Sequence, residues 1–92
     1  MAKLFNATVI TRNETVFQGK TSSLVAPGEI GYIGILASHA PLATSLIPGT
    51  ITLRDDNGKA TSFKSAGNGF LEMLKDEALV LLDDVEPVKP LV

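Results

Sequence analysis

The sequence predicts an all-β domain, and three observations carry that prediction. Turn-forming residues recur roughly every 8–12 positions, the spacing of a β-sandwich or barrel. Between them, apolar and polar residues alternate with period two, most plainly over Phe5-Asn6-Ala7-Thr8-Val9 and Thr50-Ile51-Thr52-Leu53-Arg54. Gly31 and Gly34, with prolines at 27, 41 and 48, leave no room for a long helix between them.

Taken in order, Phe5 to Val9 is a half-buried strand, and Arg12-Asn13-Glu14-Thr15 reads as a turn. Val16-Phe17 resume a second strand that passes Gly19 and runs to about Ala26, where Pro27-Gly28 closes it. Ile30 to Leu36 is a bent short strand, and Leu42 to Ile47 is another, bracketed by Pro41 and Pro48. Thr50 to Arg54 and Lys59 to Ala66 form a hairpin across Asp55-Asp56-Asn57-Gly58, where Asn-Gly favours a tight turn. Gly67-Asn68-Gly69 makes one more bend.

Phe70 to Val85 departs from this rhythm. Leu71, Leu74, Ala78, Leu81, Leu82 and Val85 fall at helical spacing, and Glu, Lys, Ala and Leu all favour helix, so the local pattern leans that way. The competing reading splits the segment at Lys75-Asp76-Glu77 into two strands, across a turn without Gly or Pro. Pro87 and Pro90 are expected to end regular structure in either case.

At 92 residues, the chain is one small domain. Its 45% hydrophobic and 20% charged residues describe a globular protein. The net charge of −2, with both signs interspersed, gives no footing for nucleic-acid binding. Cysteine is absent, which removes disulfides and thiol chemistry. No apolar run approaches the roughly 20 residues of a membrane span, and Met1 to Phe5 opens no export signal. A soluble cytoplasmic protein is expected, in membrane contact only through a protein partner.

The chemistry-bearing residues argue against an enzyme. His39 is the single histidine and stands beside Ser38, but Asp55, Asp56, Asp83 or Asp84 could complete a triad only through folding, and there is no nucleophile elbow. As a metal ligand His39 would depend on carboxylates alone. Gly28-x-x-Gly31-x-x-Gly34 lacks the lysine and the helix of a phosphate-binding loop. Glu72, Asp76, Glu77, Asp83, Asp84 and Glu86 read as a solvated acidic face. The expectation is no catalytic, cofactor-binding or metal-binding residue, and a binding or structural domain.

The run from Gly31 to Gly49, GYIGILASHAPLATSLIPG, resembles the signature of ATP synthase epsilon subunits. Gly-x-Ile-Gly-Ile, His39-Ala40-Pro41-Leu42 and Pro48-Gly49 stand at the family's spacing. Phe17-x-Gly19 and Gly67-Asn68-Gly69-Phe70-Leu71-Glu72-Met73 match two flanking motifs, so the resemblance runs from about Lys3 to Val85. It implies a flattened β-sandwich of about 8–10 short strands over residues 1–86 with a short tail over 87–92, and it turns Phe70–Val85 into two strands. It implies a non-catalytic rotor subunit of a proton- or sodium-driven ATP synthase, peripheral on the cytoplasmic side of the bacterial inner membrane. The implied partners are the gamma subunit and the polar loops of the c-ring.

Residue by residue, the family's ring-facing region falls on Glu29, Tyr32 and His39, and its gamma-facing positions on Thr11 and Thr44. Tyr32 stands where the family often has an acid, and Ala37-Ser38 where it has Pro-Gly. Glu29 is then the nearby candidate for the negative charge. Tyr32 either gives an aromatic contact in place of an ion pair or is a surface tyrosine without a role. Bacterial relatives continue into a helical hairpin that can inhibit ATP hydrolysis. That arm and its nucleotide-binding residues are not in this sequence, so neither arm-mediated inhibition nor ATP binding is expected of it. A free-standing β-sandwich binding module and a small hydrolase using His39 are the alternatives from other classes.

Overall fold

Every described element is a strand. The computed structural model describes residues 3–87, and ten short strands run through them. β1 (Phe5–Ile10) follows the predicted alternation: Phe5, Ala7 and Val9 are buried and Asn6 is exposed. It pairs antiparallel with β2 (Thr15–Thr21) across the predicted turn.

The expected second strand does not run unbroken to Ala26. It breaks at Ser22, and β3 (Ser23–Gly28) begins a new pairing. The buried Thr21 hydroxyl donates to the carbonyls of Arg54 (2.6 Å) and Ser23 (2.8 Å), and the Ser22 amide donates to Arg54 at 2.7 Å. These bonds draw the chain away from β1 and onto β6 (Gly49–Arg54). Pro27 and Gly28 lie inside β3, and the turn that follows is Glu29–Ile30. The Pro27 carbonyl accepts the Ile47 amide at 2.9 Å, so the side of Pro27 that lacks an N–H points away from β4 (Gly31–Leu36). The β3–β4 ladder therefore loses no hydrogen bond to proline.

β5 (Leu42–Leu46) lies between the two flanking prolines as expected. β6 and β7 (Ala60–Ser65) form the predicted hairpin. The Gly58 amide donates to the Asp55 carbonyl and the Asp55 amide to the Lys59 carbonyl, with Gly58 at φ +83°, which is a three-residue loop closed by a glycine bulge.

Phe70–Val85 is not helical. β8 (Gly69–Leu74) and β9 (Glu77–Leu82) form an antiparallel hairpin, as the resemblance implied against the local pattern. Its two-residue turn is made by Lys75 and Asp76, both at positive φ (50° and 58°). Such a turn matches strand twist, although Gly or Asn usually fills it. The last strand also divides: β9 ends at Leu82 and β10 (Val85–Pro87) pairs with β7. Pro87 thus lies in a strand, one residue beyond the expected domain boundary, and the rest of the expected tail, 88–92, is outside the described residues.

The strands follow the order β10-β7-β6-β3-β5-β8-β9-β1-β2, with β4 on the other side of β3. The path turns over at one bridge, Gly28↔Leu46. On either side of it lie β4-β3-β6-β7-β10 and β5-β8-β9-β1-β2. Both halves contribute to one buried cluster that includes Phe5, Val9, Leu24, Ile35, Leu46, Ile51, Leu71, Met73 and Val80. Burying each such side chain stabilises the fold by about 1.5–3 kcal/mol. No buried side-chain polar atom among the described residues is left without a partner.

Candidate docking surface

The five residues singled out from the sequence do not converge on one point. Glu29 sits in the β3–β4 turn and Tyr32 near the start of β4, while His39 follows the far end of that strand. Glu29 and His39 stand beyond opposite ends of this six-residue strand, which spans roughly 20 Å along the sheet. Thr44 lies mid-way along β5, opposite Leu71, and is half-buried. Thr11 follows β1 and is buried. Its hydroxyl donates to the Glu14 carbonyl and accepts the amides of Asn13 and Glu14, so it organises the β1–β2 turn.

Tyr32 is 60% exposed yet anchored at its tip. Its ring crosses Pro27, its neighbour on β3, and the phenol oxygen accepts the Thr50 amide at 3.2 Å. Gly49 makes this possible, because a Cβ there would come within 2.9 Å of Pro27 and 3.0 Å of the phenol oxygen. The ring is thus held in one orientation with most of its surface in solvent. Ile30, at the turn itself, is fully exposed, and Leu36 at the other end of β4 is 64% exposed.

The His39 loop is held from a distance. Ser38 has φ +66°, and its amide donates to the Asp76 carboxylate at 2.6 Å. Lys3 Nζ donates to the Ser38 hydroxyl at 2.8 Å, and the His39 amide donates to the Leu36 carbonyl at 3.2 Å. His39 Nδ1 lies 2.7 Å from the Ala40 carbonyl, which fits the tautomer with Nδ1–H donating. Asp76 also accepts the Asn6 amide on its own carbonyl, so the β8–β9 turn joins the start of β1 to the His39 loop. The sequence does not single out Lys3, and Asp76 reads there only as part of a turn and of a solvated acidic face. The one available signal was an Asp in a turn without glycine, since Asp tolerates positive φ and binds nearby backbone amides.

Three surface hollows among the described residues offer no catalytic arrangement. The largest, about 460 Å³, is lined by Thr8, Glu72, Leu74, Lys75, Glu77, Ala78 and Leu79, on the outer face of β8 and β9. Two smaller ones, of about 240 and 260 Å³, lie beside β10 and beside β5. None is lined by His39 or by a nucleophile–base pair. No cluster of three or more potential metal ligands occurs among the described residues. No helix among the described residues is long and apolar enough to cross a membrane. What the geometry presents is an apolar hairpin and a braced loop.

Comparison with known proteins gives one consistent result. The model of a family described as the ATP synthase delta/epsilon chain, β-sandwich domain, matches residues 4–88. An ATP synthase epsilon chain from Moorella thermoacetica is 40% identical over 86 residues, covering 94% of this chain and 63% of the relative. One from Acidithiobacillus ferridurans is 38% identical, covering 94% and 60%. This chain therefore spans somewhat under two thirds of the length of those curated relatives. Among solved structures, a chain of the Euglena gracilis mitochondrial ATP synthase OSCP/F1/c-ring assembly superposes with a TM-score of 0.85 at 19% identity, covering 91% of this chain and 53% of that one. A chain of the Tetrahymena thermophila mitochondrial ATP synthase central stalk/c-ring gives 0.74 at 14% identity, covering 92% and 67%. At those identities the structural likeness speaks for the fold alone.

Proposed function

The chain belongs to the ATP synthase delta/epsilon family, and from that premise we propose that it is a non-catalytic part of the rotor, docking a gamma-type shaft onto a ring of c subunits. In this role it passes the rotation driven by a proton or sodium gradient to a catalytic head built from other subunits. It would work on the cytoplasmic face of a bacterial inner membrane, reaching the membrane through its partners.

The observation that carries this reading is the family match across nearly the whole chain. The build of the domain supports it. A torque-bearing link must resist deformation, and two strand layers closed on one packed core have low compressibility. Glu29 and Tyr32 at one end of β4, and His39 at the other, are assigned to the ring, with Thr44 toward the shaft. Thr11 acts there by shaping the β1–β2 turn, since its side chain is buried. Tyr32 supplies a preoriented aromatic surface, which loses little conformational freedom on binding.

The test is binding of the purified chain to the gamma–c-ring subcomplex of its own enzyme. The wild-type chain is expected to bind and to restore coupling between ion flow and ATP synthesis. Tyr32→Ala should weaken binding about tenfold. Tyr32→Phe, which keeps the ring and removes only the bond to Thr50, should stay near wild type. Equal binding by Tyr32→Ala and the wild-type chain would remove Tyr32 from the interface.

A further inference from the structure

We propose that the free edge of β4 is a strand-docking site that receives an extended segment of a neighbouring rotor subunit; this rests on the rotor reading above and adds the mode of attachment to it. β4 pairs with β3 along its whole length and with no strand on its other side among the described residues. The direction of the Pro27 carbonyl fixes which backbone groups face that side. Pro27 points away from β4, so Pro27↔Tyr32, Val25↔Gly34 and Ser23↔Leu36 are the pairs without mutual hydrogen bonds. The N–H and C=O groups of Tyr32 and Gly34 therefore point outward. The Leu36 carbonyl on the same side already accepts the His39 amide, which marks where the open stretch ends.

Free edges normally carry protection against strand addition: charge, proline, bulges or short length. Three of the four edges among the described strands have it, β5 being five residues long between Pro41 and Pro48 and already bridged to β3 at Leu46. β2 contains Lys20 and faces a register shift at Val9/Ile10, and β10 is three residues long with Glu86 and Pro87. β4 reads Gly-Tyr-Ile-Gly-Ile-Leu, with no charge, proline or bulge. Its outer face carries Tyr32 and Leu36, exposed, with nothing within 4 Å of a Cβ built on Gly34 between them. An unprotected edge flanked by exposed apolar side chains is an aggregation hazard unless a partner covers it.

The edge also defines its occupant. It calls for a backbone in the extended conformation, with apolar side chains at alternate positions to fill the open space at Gly34 and lie beside Leu36. At the tip, Glu29 is the one charge between Pro27 and Leu36, and it favours a Lys or Arg at that end of the incoming segment. A second copy of this chain is a poorer fit. Antiparallel pairing of β4 with itself would set each Glu29 near Ser38, where Lys3 and Asp76 already offset each other's charge. It would also join two six-residue strands, small against the roughly 1,200 Å² of a stable interface. A partner already engaged at Glu29 and His39, on either side of β4, needs no large area from the edge itself.

Backbone pairing has a readout that side-chain contact lacks. Amide hydrogen exchange, resolved by residue, is measured on the chain alone and bound to the purified gamma–c-ring subcomplex. Alone, Tyr32 and Gly34 exchange freely while Ile33 and Ile35 are protected by β3. In the complex, Tyr32 and Gly34 are expected to slow by about 100-fold. Gly34→Pro removes the outward N–H and should weaken binding at least about tenfold, whereas Gly34→Val, whose side chain enters open space, should stay within about threefold. A complex that forms with both amides exchanging as in the free chain overturns the proposal, as does equal binding by the two variants. If Gly34→Pro fails to fold, the exchange pattern of the wild-type chain decides. Absence of any binding to the subcomplex sinks the rotor reading and this partner together. Protection of the same amides through self-association of the free chain would assign the edge to a second copy.

Discussion

The β8–β9 and β3–β4 hairpins are alike in plan and opposite in use. Each joins two six-residue strands through a two-residue turn. In the first, both strands are paired on both sides, β8 with β5 and β9 with β1. Its inward residues Leu71, Met73, Ala78 and Val80 are buried, and its turn forces Lys75 and Asp76 to positive φ. In the second, only β3 is enclosed. β4 buries Ile35 and leaves Tyr32, Gly34 and Leu36 to solvent, and the Ile30 side chain at its turn touches nothing that hides it. The first hairpin accepts local backbone strain to complete the fold. The second keeps a relaxed backbone and leaves its interactions unfinished, which is what the proposed docking role requires.

That contrast breaks if equivalent truncations in the two hairpins cost the same. Leu71→Ala, at a position with no exposure, should lower unfolding free energy by about 2–5 kcal/mol. For a small domain with roughly 5–15 kcal/mol in total, this is close to the limit of folding. Leu36→Ala, at 64% exposure, should change it by under about 0.5 kcal/mol. Urea unfolding of both variants measures the difference. Comparable losses would mean that β4 is part of the core and not a free edge.

The two hairpins also differ in how openly the sequence announced them. The β3–β4 hairpin and the loop after it carry the motif from Gly31 to Gly49, so identity was legible there, though Pro27-Gly28 was misplaced as the turn. Proline could sit inside the strand because its missing N–H falls on a side where no β4 bond is made, a fact of pairing that no local pattern holds. β8–β9 misled in the other direction. Leu71, Leu74, Ala78, Leu81 and Leu82 match a helical stripe, yet the strands bury Leu71, Ala78 and Leu82 inward and leave Leu74 and Leu81 half exposed. The period-two signal was broken by those outward leucines, and no glycine marked the turn. The break at Ser22 was equally hidden, since it depends on Thr21 and Ser22 reaching the Arg54 carbonyl 33 and 32 residues away.

A smaller effect sharpens the link between the hairpins. Asp76→Gly removes the carboxylate that holds Ser38 while suiting the positive φ at that turn. Loss of the hydrogen bond, worth about 1 kcal/mol, and relief of the backbone act in opposite directions, so net stability should move by less than about 1 kcal/mol. The Ser38 amide should nonetheless exchange about tenfold faster, and binding that depends on a fixed His39 loop should weaken with it. Unchanged exchange at Ser38 would show that Lys3 and the Leu36 carbonyl suffice to hold the loop.

The smallest effect has the opposite sign. Lys75 is exposed, sits at φ +50° and has no side-chain partner among the described hydrogen bonds. An L-residue with a Cβ in this region costs roughly 1–2 kcal/mol, and glycine recovers part of it against a larger entropy loss on folding. Lys75→Gly should therefore stabilise the domain by about 0.5–1 kcal/mol, read as a raised urea midpoint at unchanged slope. Because it leaves Asp76 in place, it should not alter exchange at Ser38 or binding to the subcomplex. If Lys75→Gly loosens the His39 loop as Asp76→Gly does, the strained turn acts as one unit, and the brace on that loop comes from its backbone geometry and not from the Asp76 carboxylate alone.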